Sequence, residues 1–535
     1  MENKIFISKK SICLTMIGFT AFPLFANSIK EKAKKPNILF IAVDDLKPVL
    51  GCYGDTMIKT PNIDRLASQS TVFLKNYCQQ AVCGPTRASM MTGLRPDITK
   101  VWDLVTKMRD INPDIVTIPQ YFISQGYETS GIGKIFHPGI TDKFQDKPSW
   151  SIPYLKPDDF YSKKFGEPAL GYQNPQTKAL IEKYEKEARV KGLKGRKAME
   201  YVTKFIKPSV ECVDVPDNAY EDGAMALMAK QQLIALSKDN KPFFFAVGFH
   251  KPHLPFISPK KYWDLYKRDE MPVAKFQEHA KNSPDLAYHN SGELRHYTDI
   301  DPLESYTDQE KGQKNHIRLP LDKQKELIHG YYAAVSYTDA QIGILLNTLD
   351  SLGMLKNTII VLWGDHGWHL GDHDLWCKHT DFENATRAPL IISAPGMKAG
   401  QTKSMSEFVD VFPTLCDLAG IPIPANLDSK SLVPLMKDNT AKVNEYSVSQ
   451  FPHNGCMGYS IRTDRYRLTF WMKKGFRSYQ TFSNDLIVAK ELYDYQNDPL
   501  ETISVISDSQ YKVVQKDLEA KLIAYFKIHS TKSSK

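Results

Sequence analysis

The sequence predicts an α/β protein in which a large, mainly parallel sheet lies between layers of helices and is followed by a smaller antiparallel sheet. Continuous apolar runs at 37–43, 242–249 and 358–363 are typical of strands that are buried on both faces of a parallel sheet. Segments with helical periodicity separate these runs, and this alternation favours parallel strands joined by helices. After residue 440 the predicted strands are short and follow one another directly, which indicates an antiparallel sheet.

The length of the chain predicts more than one domain. A chain of 535 residues exceeds a typical single domain. The segment 421–440 is rich in Pro, Asn and Asp, and this composition predicts a boundary. We therefore expect a large domain at 36–425 and a C-terminal α+β subdomain at 440–535.

The first 26 residues have the pattern of a secretory signal. Three lysines form the charged region, Lys4, Lys9 and Lys10, and the apolar region extends over 12–25. This apolar stretch is short for a membrane anchor, and no other long apolar run follows it. We therefore predict a signal peptide at 1–26, an exported protein, and no membrane span in the mature form.

Charge and cysteine content restrict the partners. The formal net charge of +8 favours an anionic partner only weakly. No stretch interleaves basic and aromatic residues as a nucleic-acid groove would, so we predict no nucleic-acid partner, whereas an acidic polysaccharide fits. The eight cysteines include no Cys-x-x-Cys metal spacing. Export would permit disulfides, but the spacing does not determine their pairing.

The first apolar run ends in two carboxylates, Asp44 and Asp45. Adjacent carboxylates at the end of a buried strand are costly unless they bind a cation. The carboxyl ends of strands are also where α/β folds place their sites. A helix N-cap would explain one of the two aspartates but not both.

The next elements lead to a cysteine. A capped helix is predicted at 61–70 and a short strand at 71–73. Cys83 follows in a turn-prone stretch, just ahead of a short helix that ends at Gly93. A thiol at a helix N-terminus beside Arg87 is expected to have a lowered pKa and to be nucleophilic. The alternative is a buried structural cysteine or half of a disulfide.

A second strand end carries basic groups. A helix at 115–125 and a strand at 128–132 precede a glycine-flanked loop that contains Lys134 and His137. A lysine and a histidine between glycines at a strand end suggest a compact anion-binding loop. An ordinary surface lysine and a turn histidine are the alternative.

The pattern breaks before the next strand. The lysine-rich segment 178–205 is predicted to be a helical insertion outside the core. Its charges are expected to form a solvated face, with substrate contact as the alternative. A helix at 217–236 leads into the apolar run at 242–249, which ends in His250. A histidine at a strand end is a candidate acid or base.

The third long apolar run repeats the logic of the first. A polar, irregular segment at 270–318 has a length typical of loops that shape a site or are disordered. Apolar residues at helical spacing predict one long helix or a helix pair at 321–352. The strand at 358–363 then ends in Asp365 and His366. If this strand lies beside the first, three aspartates and a histidine converge, which is the strongest indication of a metal site.

The remaining elements complete the two sheets. A strand and turn at 389–396 and a helix at 409–419 finish the large domain. The C-terminal subdomain is predicted to contain four strands and one helix, at 446–451, 458–462, 466–471, 490–493 and 513–526.

Together these residues suit displacement at a tetrahedral oxyanion ester. A cation and lysines would balance charged oxygens, and a histidine would protonate the leaving oxygen. This chemistry does not separate a sulfate ester from a phosphate ester.

Several motifs resemble those of one family. The run Cys-x-Pro-x-Arg followed by Thr-Gly, at 83–93, resembles the sulfatase signature. The runs at 133–139, 246–253, 365–368 and 457–463 resemble the iduronate-2-sulfatase branch of that family. The resemblance extends from Pro36 to the C-terminal sheet and implies an alkaline-phosphatase-like fold.

The resemblance also implies roles for individual residues. A single Ca²⁺ ion would be held by Asp44, Asp45, Cys83, Asp365 and His366. The catalytic residues would be Cys83, Arg87, Lys134, His137, His250 and Lys378. A maturation enzyme would oxidise Cys83 to formylglycine, whose hydrated aldehyde is the nucleophile. Sulfur is a poor ligand for a hard cation, and this conversion would supply an oxygen instead.

The implied steps divide among the remaining groups. Arg87 and Lys134 would stabilise the aldehyde hydrate and the sulfate, and Lys378 would contact the sulfate. His137 would help to deprotonate the hydrate, and His250 would protonate the leaving alcohol.

We therefore expect a sulfatase that removes the 2-O-sulfate from a terminal iduronate or unsaturated uronate of a heparan, dermatan or chondroitin sulfate fragment. The periplasm of a Gram-negative bacterium is the expected compartment. The alternatives are a sulfatase for another glycan position, a phosphonate or phosphate ester hydrolase of the same superfamily, and a non-catalytic binder of sulfated glycans.

Overall fold

The computed structural model describes residues 1–2, 35–142, 146–155, 171–300, 318–473 and 482–532. Apart from its first two residues, the predicted signal peptide lies outside this part of the chain. The same holds for 301–317 of the predicted long loop. From residue 35 onward, the described residues form one compact unit.

Strands and helices are interspersed along the chain as far as residue 437. The strands are β1 Asn37–Val43, β2 Thr71–Tyr77, β3 Glu128–Gly133, β4 Val210–Val213, β5 Phe243–Phe249, β6 Phe256–Pro259, β7 Thr358–Gly364, β8 His369–Leu370, β9 Trp376–Cys377, β10 Leu390–Ser393, β11 Gly400–Glu407, β12 Ser447–His453, β13 Cys456–Arg462, β14 Tyr466–Lys473 and β15 Ile487–Asp494. The helices are α1 Pro61–Ala67, α2 Cys83–Thr92, α3 Pro96–Thr99, α4 Met108–Ile111, α5 Ile118–Ser124, α6 Pro175–Val190, α7 Gly195–Phe205, α8 Glu221–Leu236, α9 Lys260–Trp263, α10 Leu321–Ser351, α11 Glu383–Thr386, α12 Val411–Leu418, α13 Val433–Lys437 and α14 Lys512–Lys532.

The core is a sheet of seven strands in the order β11-β2-β10-β7-β1-β5-β3. All its pairs are parallel except the two made by β10, which runs antiparallel to β2 and to β7. The prediction of a large, mainly parallel sheet is confirmed. The central strands are buried on both faces, which is why their sequences are continuously apolar.

Successive residues of β1 point to opposite faces of this sheet. Leu39 and Ile41 join a hydrophobic cluster with α8 and α10 on one face. Ile38 and Phe40 join a second cluster with α2, α5 and α12 on the other. The sheet is therefore covered by helices on both faces, as the sequence predicts.

The C-terminal part is an antiparallel sheet in the order β12-β13-β14-β15, which confirms the predicted small sheet. Its helix α14 packs on it through Leu522 and Phe526, which contact a cluster that includes Tyr459 and Leu468.

The structure decides between one helix and a helix pair at 321–352, and it contains strands that the sequence did not predict. The segment 321–352 is one helix, α10, rather than a helix pair. The lysine-rich insertion forms two helices, α6 and α7. The edge strand β11 and the pair β4–β6 were not predicted, because β11 is largely polar and β4 and β6 are only four residues long.

Candidate active site

Four neighbouring parallel strands end at one edge of the large sheet. In the sheet register, Val43 of β1 lies opposite Gly364 of β7 and Phe249 of β5. Gly133 of β3 lies opposite Gly248 of β5. The functional candidates that follow these strand ends are Asp44, Asp45, Lys134, His250, Asp365 and His366. The predicted convergence of strand ends therefore occurs in the structure.

Four of the five predicted metal ligands form one buried group. The group consists of Asp45, Cys83, Asp365 and His366, and one ligand atom from each lies within 4.8 Å of the others. His366 Nε2 lies 3.3 Å from Asp45 Oδ1 and 3.4 Å from Cys83 Sγ. The Asp45 backbone N–H donates to Asp365 Oδ1 at 2.9 Å, which fixes the two carboxylates relative to each other. Two carboxylates and an imidazole in one buried place form a donor set suited to a cation.

The fifth predicted ligand, Asp44, lies beside this group and binds two cationic side chains. Its Oδ1 accepts from Arg87 at 2.8 Å, and its Oδ2 accepts from Lys134. Burial alone would raise the pKa of Asp44, but the two cations outweigh burial and hold the pKa well below its usual range. Asp44 is therefore an ionised carboxylate that holds the side chains of Arg87 and Lys134 at the strand ends.

Arg87 is fully buried, and its guanidinium group donates hydrogen bonds to several acceptors. Its guanidinium donates to Asp44 and to Asp365 Oδ2, the latter at 3.0 Å, and to the Ile135 carbonyl at 3.3 Å. It also lies over the ring of Trp363, with 5.5 Å to the centroid. These contacts place Arg87 as the charge that links β1, β7 and the loop after β3.

Lys378 lies on the other side of the metal-ligand group. Its Nζ donates to both carboxylate oxygens of Asp45 at 3.0 Å and to Glu293 Oε1 at 3.0 Å. Burial alone would lower the pKa of Lys378, but the neighbouring carboxylates, Asp45 first, hold it well above its usual value. Lys378 is therefore an ammonium ion next to Cys83.

His250 lies at the end of β5, beside two carboxylates. Its Nδ1 is 3.2 Å from Glu221 Oε2, and its backbone N–H donates to Asp222 at 2.9 Å. Burial would lower the pKa of His250, but the charge of Glu221 outweighs burial and raises it. The ring is therefore suited to hold a proton and to deliver it as an acid.

His137 has the opposite electrostatic environment. Burial, and then the charge of Lys134, lower the pKa of His137 to about 4. Its Nδ1 accepts a hydrogen bond from the Gly139 backbone N–H at 3.1 Å. The ring is therefore neutral at neutral pH and carries its proton on Nε2.

A cavity of about 340 Å³ opens beside these groups. Its polar lining includes Asp44, Lys134, His137, His250, Lys251 and His253. Two lysines and three histidines share this lining with the carboxylates of Asp44, Glu221 and Asp222, so the cavity offers both cationic and anionic groups to a ligand.

The predicted lowering of the Cys83 pKa is wrong. Cys83 is the first residue of α2 rather than a residue ahead of it, and it is 3% exposed. Burial raises the pKa of its thiol well above the usual value, because desolvation outweighs the charges of Lys134 and Lys378. The unmodified side chain is therefore a neutral thiol at neutral pH.

Comparison with known proteins identifies the family. The family model "Sulfatase" matches residues 36–421, and the model "N-sulphoglucosamine sulphohydrolase, C-terminal" matches 371–527. The chain belongs to the sulfatase family. It is a sulfuric ester hydrolase.

The relatives of this sulfatase include an enzyme with a known substrate. Iduronate 2-sulfatase of Homo sapiens is 34% identical to this chain over an alignment 567 residues long, gaps included. The alignment covers 94% of this chain and 95% of that protein. The solved structure of BT4656 with D-glucosamine-2-N,6-O-disulfate matches with a TM-score of 0.67 and 22% identity, over 93% of this chain and 98% of that one. The phosphonate monoester hydrolase of Agrobacterium radiobacter matches with a TM-score of 0.66 and 21% identity, over 92% and 96%. The two structures share the alkaline-phosphatase-like fold of this sulfatase.

Two side chains at the site were not assigned from the sequence. Glu293 Oε1 lies 3.1 Å from His253 Nε2, and Glu293 also pairs with Lys378. His253 stands three residues after His250 in the same motif, and this spacing is a signal that could have marked it. Glu293 comes from an irregular loop whose sequence has no pattern that points to the site.

Among the described residues, no helix is long and apolar enough to cross a membrane.

Proposed function

We propose that this sulfatase removes the 2-O-sulfate from a terminal iduronate or unsaturated uronate of a glycosaminoglycan fragment. The observation that carries this proposal is the 34% identity with iduronate 2-sulfatase over nearly the whole of both chains. Lys134 and Lys251 in the cavity lining are cationic groups that can bind an acidic, sulfated sugar.

We propose that the predicted ligands hold one Ca²⁺ ion. Asp45, Asp365 and His366 offer two carboxylates and a nitrogen, with Asp44 adjacent, and these suit a hard cation better than Cys83 sulfur does. Conversion of Cys83 to formylglycine would replace that sulfur with oxygen and supply the nucleophile. A cation at this place supplies positive charge next to the oxygens of a bound sulfate group.

The side chains around the site have separate roles in the proposed desulfation reaction. Lys134 and Lys378, both held as ammonium ions by carboxylates, balance the charge of the sulfate oxygens. Arg87 forms ion pairs with Asp44 and Asp365 and so fixes the positions of both carboxylates. His250 donates a proton to the leaving sugar oxygen.

His137 is the proposed base for the modified side chain. Its low pKa leaves the ring neutral, as a base requires. To accept a proton at Nε2, the ring has to carry its own proton on Nδ1 and release the hydrogen bond from Gly139.

The proposal includes the setting in which the enzyme works. Residues 1–26 act as a signal peptide, and the enzyme acts in the periplasm of a Gram-negative bacterium after a formylglycine-generating enzyme has modified Cys83. The catalytic domain extends over 36–425 and the C-terminal subdomain over 440–535.

The experiment uses protein co-expressed with a formylglycine-generating enzyme. Disaccharides that carry one sulfate, at the uronate 2-position, the hexosamine 6-position or the amine, are incubated separately, and free sulfate is measured. Release from the 2-position alone is the expected result. Release from a hexosamine, the sugar bound by BT4656, would contradict the substrate. Turnover of a phosphonate ester without any sulfate release would contradict the reaction.

A further inference from the structure

The helical insertion carries much of the positive charge of the chain. Between 175 and 205 there are nine basic and four acidic side chains, whereas the whole chain has a net charge of +8. The basic residues concentrate where α6 turns into α7. The segment 189–197, here called the basic turn, contains five of them and no acidic residue: Arg189, Lys191, Lys194, Arg196 and Lys197.

The basic turn is ordered and exposed. The N–H of Leu193 donates to the Ala188 carbonyl at 2.9 Å, and Gly192 and Gly195 supply positive φ angles of 69° and 53°. Tyr201 ties α7 to α6 by donating to Glu187 at 2.9 Å. The turn therefore presents its charges on a defined scaffold.

The charges of the basic turn are weakly neutralised. Arg189 pairs with Glu185 at 3.6 Å and Arg196 with Glu200 at 2.7 Å, and both pairs are exposed, so each stabilises the protein little. Within the part of the chain that the structure describes, Lys194 and Lys197 form no ion pair. Their positive charge is available to an anionic partner.

Both ends of the insertion are anchored at the wall of the active-site cavity. Gly171, just before α6, lines the cavity. After α7 the chain enters β4, which pairs with β6, and Ile257 of β6 also lines the cavity. Ile181 of α6 and Val202 of α7 pack in one cluster with Ile257. Because α6 has 16 residues, it is about 24 Å long, and the basic turn follows at its C-terminal end.

We propose that the basic turn binds the sulfate and carboxylate groups of a glycosaminoglycan chain whose terminal residue occupies the cavity. This inference rests on the proposed function, since it assigns the rest of the same substrate chain to a second surface. None of the basic-turn residues that the structure describes lines the cavity, so we expect the basic turn to contribute only to chains that extend beyond the cavity. Repeating anionic groups on one chain complement a row of cations on one helical hairpin.

The test compares two variants with the same change in charge. The first is Lys194→Gln, Arg196→Gln and Lys197→Gln combined. The matched control is Lys230→Gln, Lys238→Gln and Lys356→Gln combined, which removes three exposed lysines elsewhere. Steady-state kinetics use modified enzyme and glycosaminoglycan oligosaccharides of increasing length, each with a terminal 2-O-sulfated uronate.

We expect the basic-turn variant to keep the kcat/KM of the wild type on the disaccharide. On the longer chains we expect its KM to rise about tenfold, the combined effect of three exposed ion pairs. This difference should shrink as salt is added, because salt screens exposed charges. Equal kinetics for the two variants on every length would overturn the proposal.

Direct binding separates this inference from the proposed function. Binding of the same long oligosaccharide is measured in the Cys83→Ala background, where we expect no turnover. If the wild-type enzyme fails to desulfate the disaccharide, weaker binding by the basic-turn variant alone still supports the glycan surface. Equal binding by the two variants would refute it. Equally tight, turn-dependent binding of single-stranded DNA or of anionic lipid vesicles would refute the commitment to a glycan.

Discussion

Lys378 Nζ lies 3.0 Å from each carboxylate oxygen of Asp45. The side chain proposed to bind sulfate is therefore paired with a carboxylate proposed to bind Ca²⁺. Glu293 Oε1 also accepts a hydrogen bond from the Lys378 ammonium group, at 3.0 Å. Because Lys378 and Asp45 form one ion pair, we expect a change at either residue to affect both sulfate binding and Ca²⁺ binding.

Replacing Lys378 should move metal binding and turnover in opposite directions. In Lys378→Gln the competing ammonium is absent from Asp45, so we expect Ca²⁺ to bind about tenfold more tightly while desulfation is nearly lost. Calorimetric titration of metal-free protein measures the affinity. Asp45→Asn is the opposite control, for which Ca²⁺ should no longer raise the melting temperature. Weaker Ca²⁺ binding by Lys378→Gln would contradict this role of the ion pair.

Arg87 should be essential to stability as well as to activity. Arg87→Met leaves the buried carboxylates of Asp44 and Asp365 without their shared cation, and we expect a loss of about 3–5 kcal/mol in the free energy of unfolding. Urea denaturation of the metal-free protein measures it. Arg196→Gln, which breaks an exposed pair with Glu200, is the control and should change stability little. An Arg87→Met protein as stable as that control would refute the structural role.

The pH profile should report the ion pair of His250. Because Glu221 raises the pKa of His250, the ring remains protonated to higher pH, and kcat should fall as the pH rises through that pKa. In Glu221→Gln the raised pKa is lost, so the alkaline limb should move to lower pH. Glu200→Gln, a surface change on α7, should leave the limb in place. An unchanged limb in Glu221→Gln would exclude His250 as the acid.

Glu293 should act by positioning Lys378 and His253. Glu293→Gln keeps the shape but loses the charge, and we expect kcat/KM to fall by about 10–100-fold with little change in unfolding. Glu293→Asp should restore part of the activity. The control on the same loop is Glu278→Gln, which breaks the exposed pair with Arg318 and should leave kcat/KM unchanged. Equal kinetics for Glu293→Gln and the control would remove Glu293 from the site.

The strand ends were predictable because their sequence pattern has a simple physical cause. The apolar runs that became β1, β5 and β7 are buried on both faces, and the polar residues that interrupt them lie at the edge where a parallel sheet places its site. The motif resemblance gave a role to Lys378, which follows no long strand.

Other features depend on contacts between distant segments. The burial of Cys83, which reversed its expected pKa, depends on how the ends of β1 and β7 pack against α2. Glu293 reaches Lys378 across 85 residues of sequence, from an irregular loop. The polar edge strand β11 is visible only once β2 is in place beside it.

The dependence of sulfate release on formylglycine is tested by varying the modification of Cys83. Enzyme is produced with different levels of the formylglycine-generating enzyme, and the modified fraction of the Cys83 peptide is measured by mass spectrometry. We predict that the initial rate of 2-O-sulfate release rises in proportion to the modified fraction and that Cys83→Ala releases no sulfate. A rate that does not depend on the modified fraction, or full turnover by Cys83→Ala, would contradict it.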